Sequence, residues 1–233
     1  MRIAIMQPYL FPNIPYFQLI DAVDLFVIQD EVQWIKGGWI NRNYFQYIDG
    51  RKIMLTLPVE RFRSTDKINE VHYVSTIGRI KYINHFKSNY SKSPVLKKIF
   101  DDIEKCIMQS GSRVSEVNMK ALRLICDILE INTPFVKASD LNKSEPACAQ
   151  SRIHELCKVT GATEYFNLSG GQKFYDRNWF ENRGLLIKFY DTSHKDTRNA
   201  LQTKTACEYS TLHCILRDGV DYVRQILPSY NFR

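Results

Sequence analysis

Apolar residues fill Ile3-Ala4-Ile5-Met6 without a break, a pattern that suits a strand buried on both faces and predicts a first strand over Arg2–Gln7. Phe17, Ile20 and Val23 then recur at helical spacing, which predicts a helix over Tyr16–Val23. A second apolar run, Leu25-Phe26-Val27-Ile28, starts after Asp24 and ends at Gln29-Asp30. Strand, loop, helix and strand in this order make a short βαβ unit with parallel strands. The connecting loop is unusual. It places Pro8, Pro12 and Pro15 among Tyr9, Phe11, Tyr16 and Phe17, so its backbone is restricted and whatever it presents is held in advance.

The pattern then changes. Gly37-Gly38 marks a turn, and the segments 43–48 and 53–58 flank Asp49-Gly50, a hairpin signal. Residues 60–68 are polar and read as a loop, and 69–75 predicts a further strand. From Ser91 onward the spacing is helical, over 95–108 after Pro94 and over 114–130. Short strands follow at 135–139, 163–168 and 185–190, with a helix over 147–160 closed by Gly161 and a last helix over 212–227 broken at Gly219. The expected fold is α/β, a three-layer sandwich around a mostly parallel sheet. It is read as a single domain over 1–233, with an inserted hairpin and helical region at about 36–132.

Composition narrows the function. The 233 residues, 44% of them hydrophobic, are enough to bury one sizeable core. The formal charge of +7 favours anionic partners such as nucleotides. The basic residues are scattered with no concentrated stripe, so nucleic acid is not expected as a partner. No apolar run approaches the ~20 residues of a membrane span, so no membrane is expected either. The chain opens directly on a strand with no signal-peptide pattern, and a cytoplasmic protein is the expectation. Its 6 cysteines and 5 histidines lack ligand spacing, so no metal and no cofactor is anticipated.

In open α/β sheets ligands bind beyond the carboxyl ends of the strands. Three segments fall at such ends: Gln7-Pro8-Tyr9, Asp30-Glu31 and Ser169-Gly170-Gly171. Gln7 supplies a carboxamide to a ligand, or satisfies loop backbone. Tyr9 and Tyr16 can wall a base or sugar ring, or plug the sheet edge. Asp30 can serve as a general base or hold an ammonium group, or cap the next turn. Lys36, Asn41 and Arg42 surround a glycine pair, and Arg42 offers a planar fork for phosphate. Ser169-Gly170-Gly171 can form an anion-binding nest, with Tyr175 just beyond it. His194, in a polar loop, is a candidate acid or base, with His213 behind it. No Walker loop, dinucleotide fingerprint or nucleophile elbow occurs.

The segments AIMQPYLFPNIPYFQLIDAVDLFVIQDEVQWIKGGWINRN, LTLPV, HELCKVTGATEYFNLSGGQKFYD and GLLIKFYD together resemble the WbqC-like family. That family is associated with O-antigen and other surface-polysaccharide gene clusters, beside enzymes that make nucleotide-linked amino sugars. The resemblance implies acyl or aminoacyl transfer to the amine of such a sugar, and the donor expected here is a thioester on a carrier protein or coenzyme A. Its motif includes Gln7, Tyr9, Tyr16, Asp30, Asn41, Arg42, Ser169, Gly170 and Tyr175 of this chain. Two positions depart from the pattern: Pro15 stands where glycine is usual, and His213 where aspartate is. On this reading Asp30, Gln7 and His194 serve catalysis, while Tyr9, Tyr16, Lys36, Asn41, Arg42, Ser169, Gly170, Gly171 and Tyr175 bind substrate. The competing reading is a non-catalytic module that binds a sugar nucleotide or a carrier protein.

Overall fold

The computed structural model describes residues 1–109, 113–144, 148–190 and 208–233. The chain begins with β1 (Arg2–Met6), α1 (Ile14–Asp21) and β2 (Leu25–Ile28). A long excursion follows: the antiparallel hairpin β3 (Arg42–Gln46) and β4 (Lys52–Thr56), then helices α2 (Thr76–Asn89), α3 (Pro94–Met108) and α4 (Val114–Leu129). The chain returns through β5 (Phe135–Lys137), α5 (Ala149–Thr160), β6 (Glu164–Asn167), α6 (Arg177–Glu181) and β7 (Leu186–Phe189). It closes with α7 (Thr211–Asp218) and α8 (Val220–Ile226).

Five strands form one parallel sheet in the order β5-β2-β1-β6-β7. The alternation along β1 divides the core. Ile3 and Ile5 face a cluster with Ile153, Leu156 and Cys157 of α5 and Phe180 of α6. Ala4, with Phe26 of β2 and Phe166 of β6, faces the larger cluster that holds α1, the excursion helices and α7–α8. Helices on both faces of a parallel sheet make the three-layer sandwich that the apolar runs require, because each strand must be covered twice. No helix among the described residues is long and apolar enough to cross a membrane.

Some elements differ from the sequence pattern. The segment 69–75 is not a strand: a short 3-10 turn spans Ile68–Glu70, and Val59–Tyr73 and His72–Arg113 make isolated bridges. Helix α2 was not expected. Its buried positions Arg79, Tyr82, Ile83 and Phe86 do have helical spacing, but an arginine occupies the first of them. Arg79 is buried because its guanidinium donates to the carbonyls of Val74, Ile107 and Gln109, which ties α2 to the end of α3. The break between α7 and α8 falls at Gly219, where φ is +95°, a value that disfavours any residue with a Cβ.

The excursion fixes the proline-rich loop that follows β1. Asn118 of α4 is fully buried. Its amide donates to the carbonyls of Pro8 (2.8 Å) and Ile40 (2.7 Å), and its oxygen accepts from the Tyr73 hydroxyl (2.6 Å). The Asn43 amide donates to the Phe11 carbonyl (2.9 Å), and the Thr211 N–H donates to the Pro12 carbonyl (2.7 Å). Phe11 itself has φ of +46°. A left-handed aromatic residue is costly, and it persists where such surrounding bonds over-determine the backbone.

Candidate functional site

In the sheet order, β1 leads to β2 on one side and is flanked by β6 on the other. This reversal opens a crevice between the carboxyl ends of β1 and β6, where open α/β folds bind ligands. The structure has a cleft of about 540 Å³ there, lined by Met6 at the end of β1 and Tyr9 after it, Asn167 at the end of β6 and 168–171 after it, Tyr190 after β7, and Trp39 from the excursion. A smaller lobe of about 190 Å³ continues from it, sharing Tyr9, Asn13, Trp39 and Leu168 and adding Tyr16, Asn43 and Glu208.

Aromatic residues form two walls. The Tyr9 ring lies 5.6 Å from that of Tyr16, whose hydroxyl donates to the Gln7 carbonyl at 2.7 Å. Burial pushes both tyrosine hydroxyls above their ordinary range, so each stays a neutral donor. The opposite wall is Trp39, 45% exposed and backed by Tyr44 at 5.7 Å. Lys52 Nζ lies 3.9 Å from the Tyr44 ring centroid and 3.2 Å from a Glu208 oxygen. Glu208 is the carboxylate of the smaller lobe.

The turn after β6 supplies polar edges. Asn167 is buried, and its Oδ1 accepts from the Leu168 N–H at 2.7 Å. That bond fixes the amide so that its NH₂ edge lies over Gly171. The expected nest at Ser169-Gly170-Gly171 does not form. The residues Ser169–Phe174 wind into a 3-10 helix, and neither Gly170 nor Gly171 has the positive φ that a nest alternation uses.

Of the residues singled out from sequence, Tyr9, Tyr16, Ser169, Gly170 and Gly171 share this cleft. Others do not converge on it. Asp30 is 1% exposed, and its carboxylate accepts from the Ser139 N–H (3.1 Å) and hydroxyl (2.7 Å). It clamps the tip of β2 to the turn after β5, on the side of the sheet away from β6. Arg42 folds back, Nε donating to the Gly38 carbonyl at 2.9 Å, beside Lys36 on the same turn. Asn41 pins Leu57 through its amide at 2.9 Å. Tyr175 packs against Tyr165 and Phe180 in the second core cluster, because the 3-10 helix carries it to the other face. Gln7 contributes its carbonyl to Tyr16, and the cleft lining passes to Met6 and Tyr9. His194 lies outside the described residues. Sequence reasoning missed Trp39, Asn43, Asn167, Tyr190 and Glu208. Asn167 carried the same signal as Gln7 and Asp30, a polar residue where an apolar strand stops.

Among the described residues, no group of three His, Cys, Asp or Glu side chains is placed to hold a metal ion. A model of the WbqC-like protein family matches residues 7–212. The chain is also similar to the "Uncharacterized protein Rv1507c" of Mycobacterium tuberculosis, with 27% identity over 192 residues covering 82% of each chain. No solved structure matches.

Proposed function

The chain belongs to the WbqC-like protein family, and from that premise we propose that it is a transferase acting on a nucleotide-linked amino sugar in O-antigen or other surface-polysaccharide biosynthesis. It moves an acyl or aminoacyl group from a thioester, on a carrier protein or coenzyme A, to the sugar amine. The observation that carries this reading is the two-lobed cleft at the β1/β6 reversal, aromatic on both walls and with a carboxylate in its smaller lobe.

The reaction sets the roles. The amine lone pair attacks the thioester carbonyl, the C–N bond forms, the C–S bond breaks, and the thiol leaves with the proton that the amine loses. Tyr9 and Trp39 sandwich the base or sugar ring. Glu208, oriented by Lys52, holds the ammonium group and takes its proton. The NH₂ edge of Asn167 steadies the tetrahedral oxyanion. Lys173, at the glycine turn that borders the cleft, offers positive charge to the diphosphate.

A second reading is a binding module without turnover. It is favoured by the pairing of Glu208 with Lys52, since no other carboxylate and no imidazole lines the cleft among the described residues. The experiment incubates the protein with UDP- or dTDP-linked amino sugars and acyl or aminoacyl thioester donors, and looks by mass spectrometry for the N-acylated sugar. Transfer predicts a product that falls about a hundredfold or more in Glu208→Gln, the scale of a lost general base. Binding of the nucleotide sugar with no product from any donor overturns transfer and leaves the module.

A further inference from the structure

A cavity of about 380 Å³ opens away from the switch-point cleft and shares no lining residue with it. It lies between the hairpin β3–β4, the junction of α2 with α3, and α7. Tyr47, Pro94 and Leu216 give it apolar walls, and Lys92 and Arg217 line it with no carboxylate among the lining residues. Arg217 is held in place by a two-point bond to Asp218, at 2.8 and 2.7 Å. Lys92 has no ion-pair partner among the described residues.

Two further features point the same way. The first turn of the 15-residue helix α3 borders the cavity through Ser93 and Pro94. Ser93 Oγ caps the Leu96 N–H, and the Val95 N–H, in the first turn, has no carbonyl of its own helix to meet. A helix start favours negative charge. Independently, His213 lines the cavity at 1% exposure. Its Nδ1 is 2.6 Å from the Tyr90 hydroxyl, and its Nε2, screened from solvent, has no partner among the described residues. Buried polar atoms are nearly always satisfied by protein, water or ligand.

We propose that this cavity is a second binding site, for the phosphate group of a small phosphorylated molecule. The phosphate sits at the start of α3 beside Lys92 and Arg217, and the organic part lies along Tyr47 and Leu216 toward His213. The volume exceeds what a bare phosphate fills, which is why the ligand is a phosphorylated molecule and not an inorganic ion. The inference stands apart from the transferase reading, since it uses none of the same residues.

The test titrates the isotope-labelled full chain with inorganic phosphate and with ribose 5-phosphate, following backbone amides and the histidine side chains by NMR. The expected result is saturable shifts confined to the amides of Lys92, Ser93, Val95 and Leu96 and the His213 imidazole, tighter for ribose 5-phosphate. Lys92→Ala weakens binding about tenfold or more, the scale of one charge-assisted contact. Ser93→Asp keeps the helix cap, because aspartate caps as well as serine, but places a negative charge in the site and abolishes binding. Shifts that rise linearly without saturation, shifts at Trp39 and Gly170 instead, or unchanged affinity in the folded Ser93→Asp protein would each overturn the proposal.

Discussion

The carboxamide of Asn167 rests directly on Gly171: a Cβ at position 171 would stand 2.4 Å from Nδ2 and 3.0 Å from Cγ of Asn167. Both residues line the cleft, and the absence of a side chain at 171 is what leaves room for the amide where it stands. Gly170, one residue earlier, has nothing within 4 Å of the same ideal position.

Gly171→Ala should therefore expel the Asn167 amide from its place and break its bond to the Leu168 N–H. The expected outcome is a loss of about tenfold in nucleotide-sugar affinity, with a stability cost of about 1–2 kcal/mol. Gly170→Ala should leave both nearly unchanged. Calorimetric titration and thermal melts of the two variants make the comparison, and equal behaviour would show that the Asn167 position has no bearing on the ligand.

Asp30 and Ser139 form a closed pair in which both carboxylate oxygens are used. Asp30→Asn should cost about 1–3 kcal/mol in urea unfolding, because a buried N–H or hydroxyl then loses its charged acceptor. Ser139→Ala should cost a similar amount, and the double variant clearly less than the sum. Turnover per folded molecule should survive in Asp30→Asn. A variant that is as stable as the parent yet inactive would return Asp30 to a chemical role.

These positions mark what the sequence can and cannot carry. The apolar runs of β1, β2 and β6 specify strands covered on both faces, and Asp49-Gly50 specifies the hairpin, with φ of +87° at Gly50. Both signals are local. A carboxylate at a strand end is also a local signal, but its meaning depends on strand order. Had β2 lain beside β6, Asp30 would face the crevice. Pairing of β1 with β6 instead sends Asp30 to the β2/β5 seam and gives the crevice to Asn167. Glu208 reaches the smaller lobe because the start of α7 docks on the first loop and the hairpin, through the Thr211 N–H to the Pro12 carbonyl and the Ser210 N–H to the Tyr44 carbonyl. Those contacts span most of the chain and leave no local pattern. Helix α2 was hidden for a different reason: Arg79 sits where an apolar residue would have revealed the stripe.

The cysteines should separate sharply in reactivity. Burial pushes the thiols of Cys106, Cys126 and Cys157 up to about 12, and Cys214 is buried. Cys148 is exposed at the start of α5, and the Ser151 hydroxyl and N–H hold its thiol below the ordinary range. Iodoacetamide at pH 8 should modify Cys148 first, and the four buried thiols only in denaturant. Peptide mapping distinguishes Cys148 from Cys207, which lies outside the described residues. Rapid labelling of Cys106 or Cys126 in the native protein would show that the α3–α4 packing opens readily.

Acid should weaken the fold through its buried histidines. Burial, assisted by the nearby Arg217 charge, lowers the His213 imidazole from 6.5 to about 4, and burial also lowers His85. The unfolded chain therefore binds protons at these sites that the folded chain refuses. Stability falls as the pH drops from about 6.5 toward 4, and below that range His213 adds nothing further. The full effect of His213 is at most about 3.5 kcal/mol, from 1.36 kcal/mol per pH unit of separation. Asp24, whose carboxyl is lowered chiefly by its bond to Arg2, stabilises the fold above the ordinary carboxylate value and loses that contribution at lower pH, below most of the histidine window. His213→Asn keeps a polar partner for Tyr90 but cannot titrate. Urea midpoints measured from pH 7.5 to 4.5 should decline in the parent and decline much less in this variant. An equal decline in both would show that another group drives the acid sensitivity.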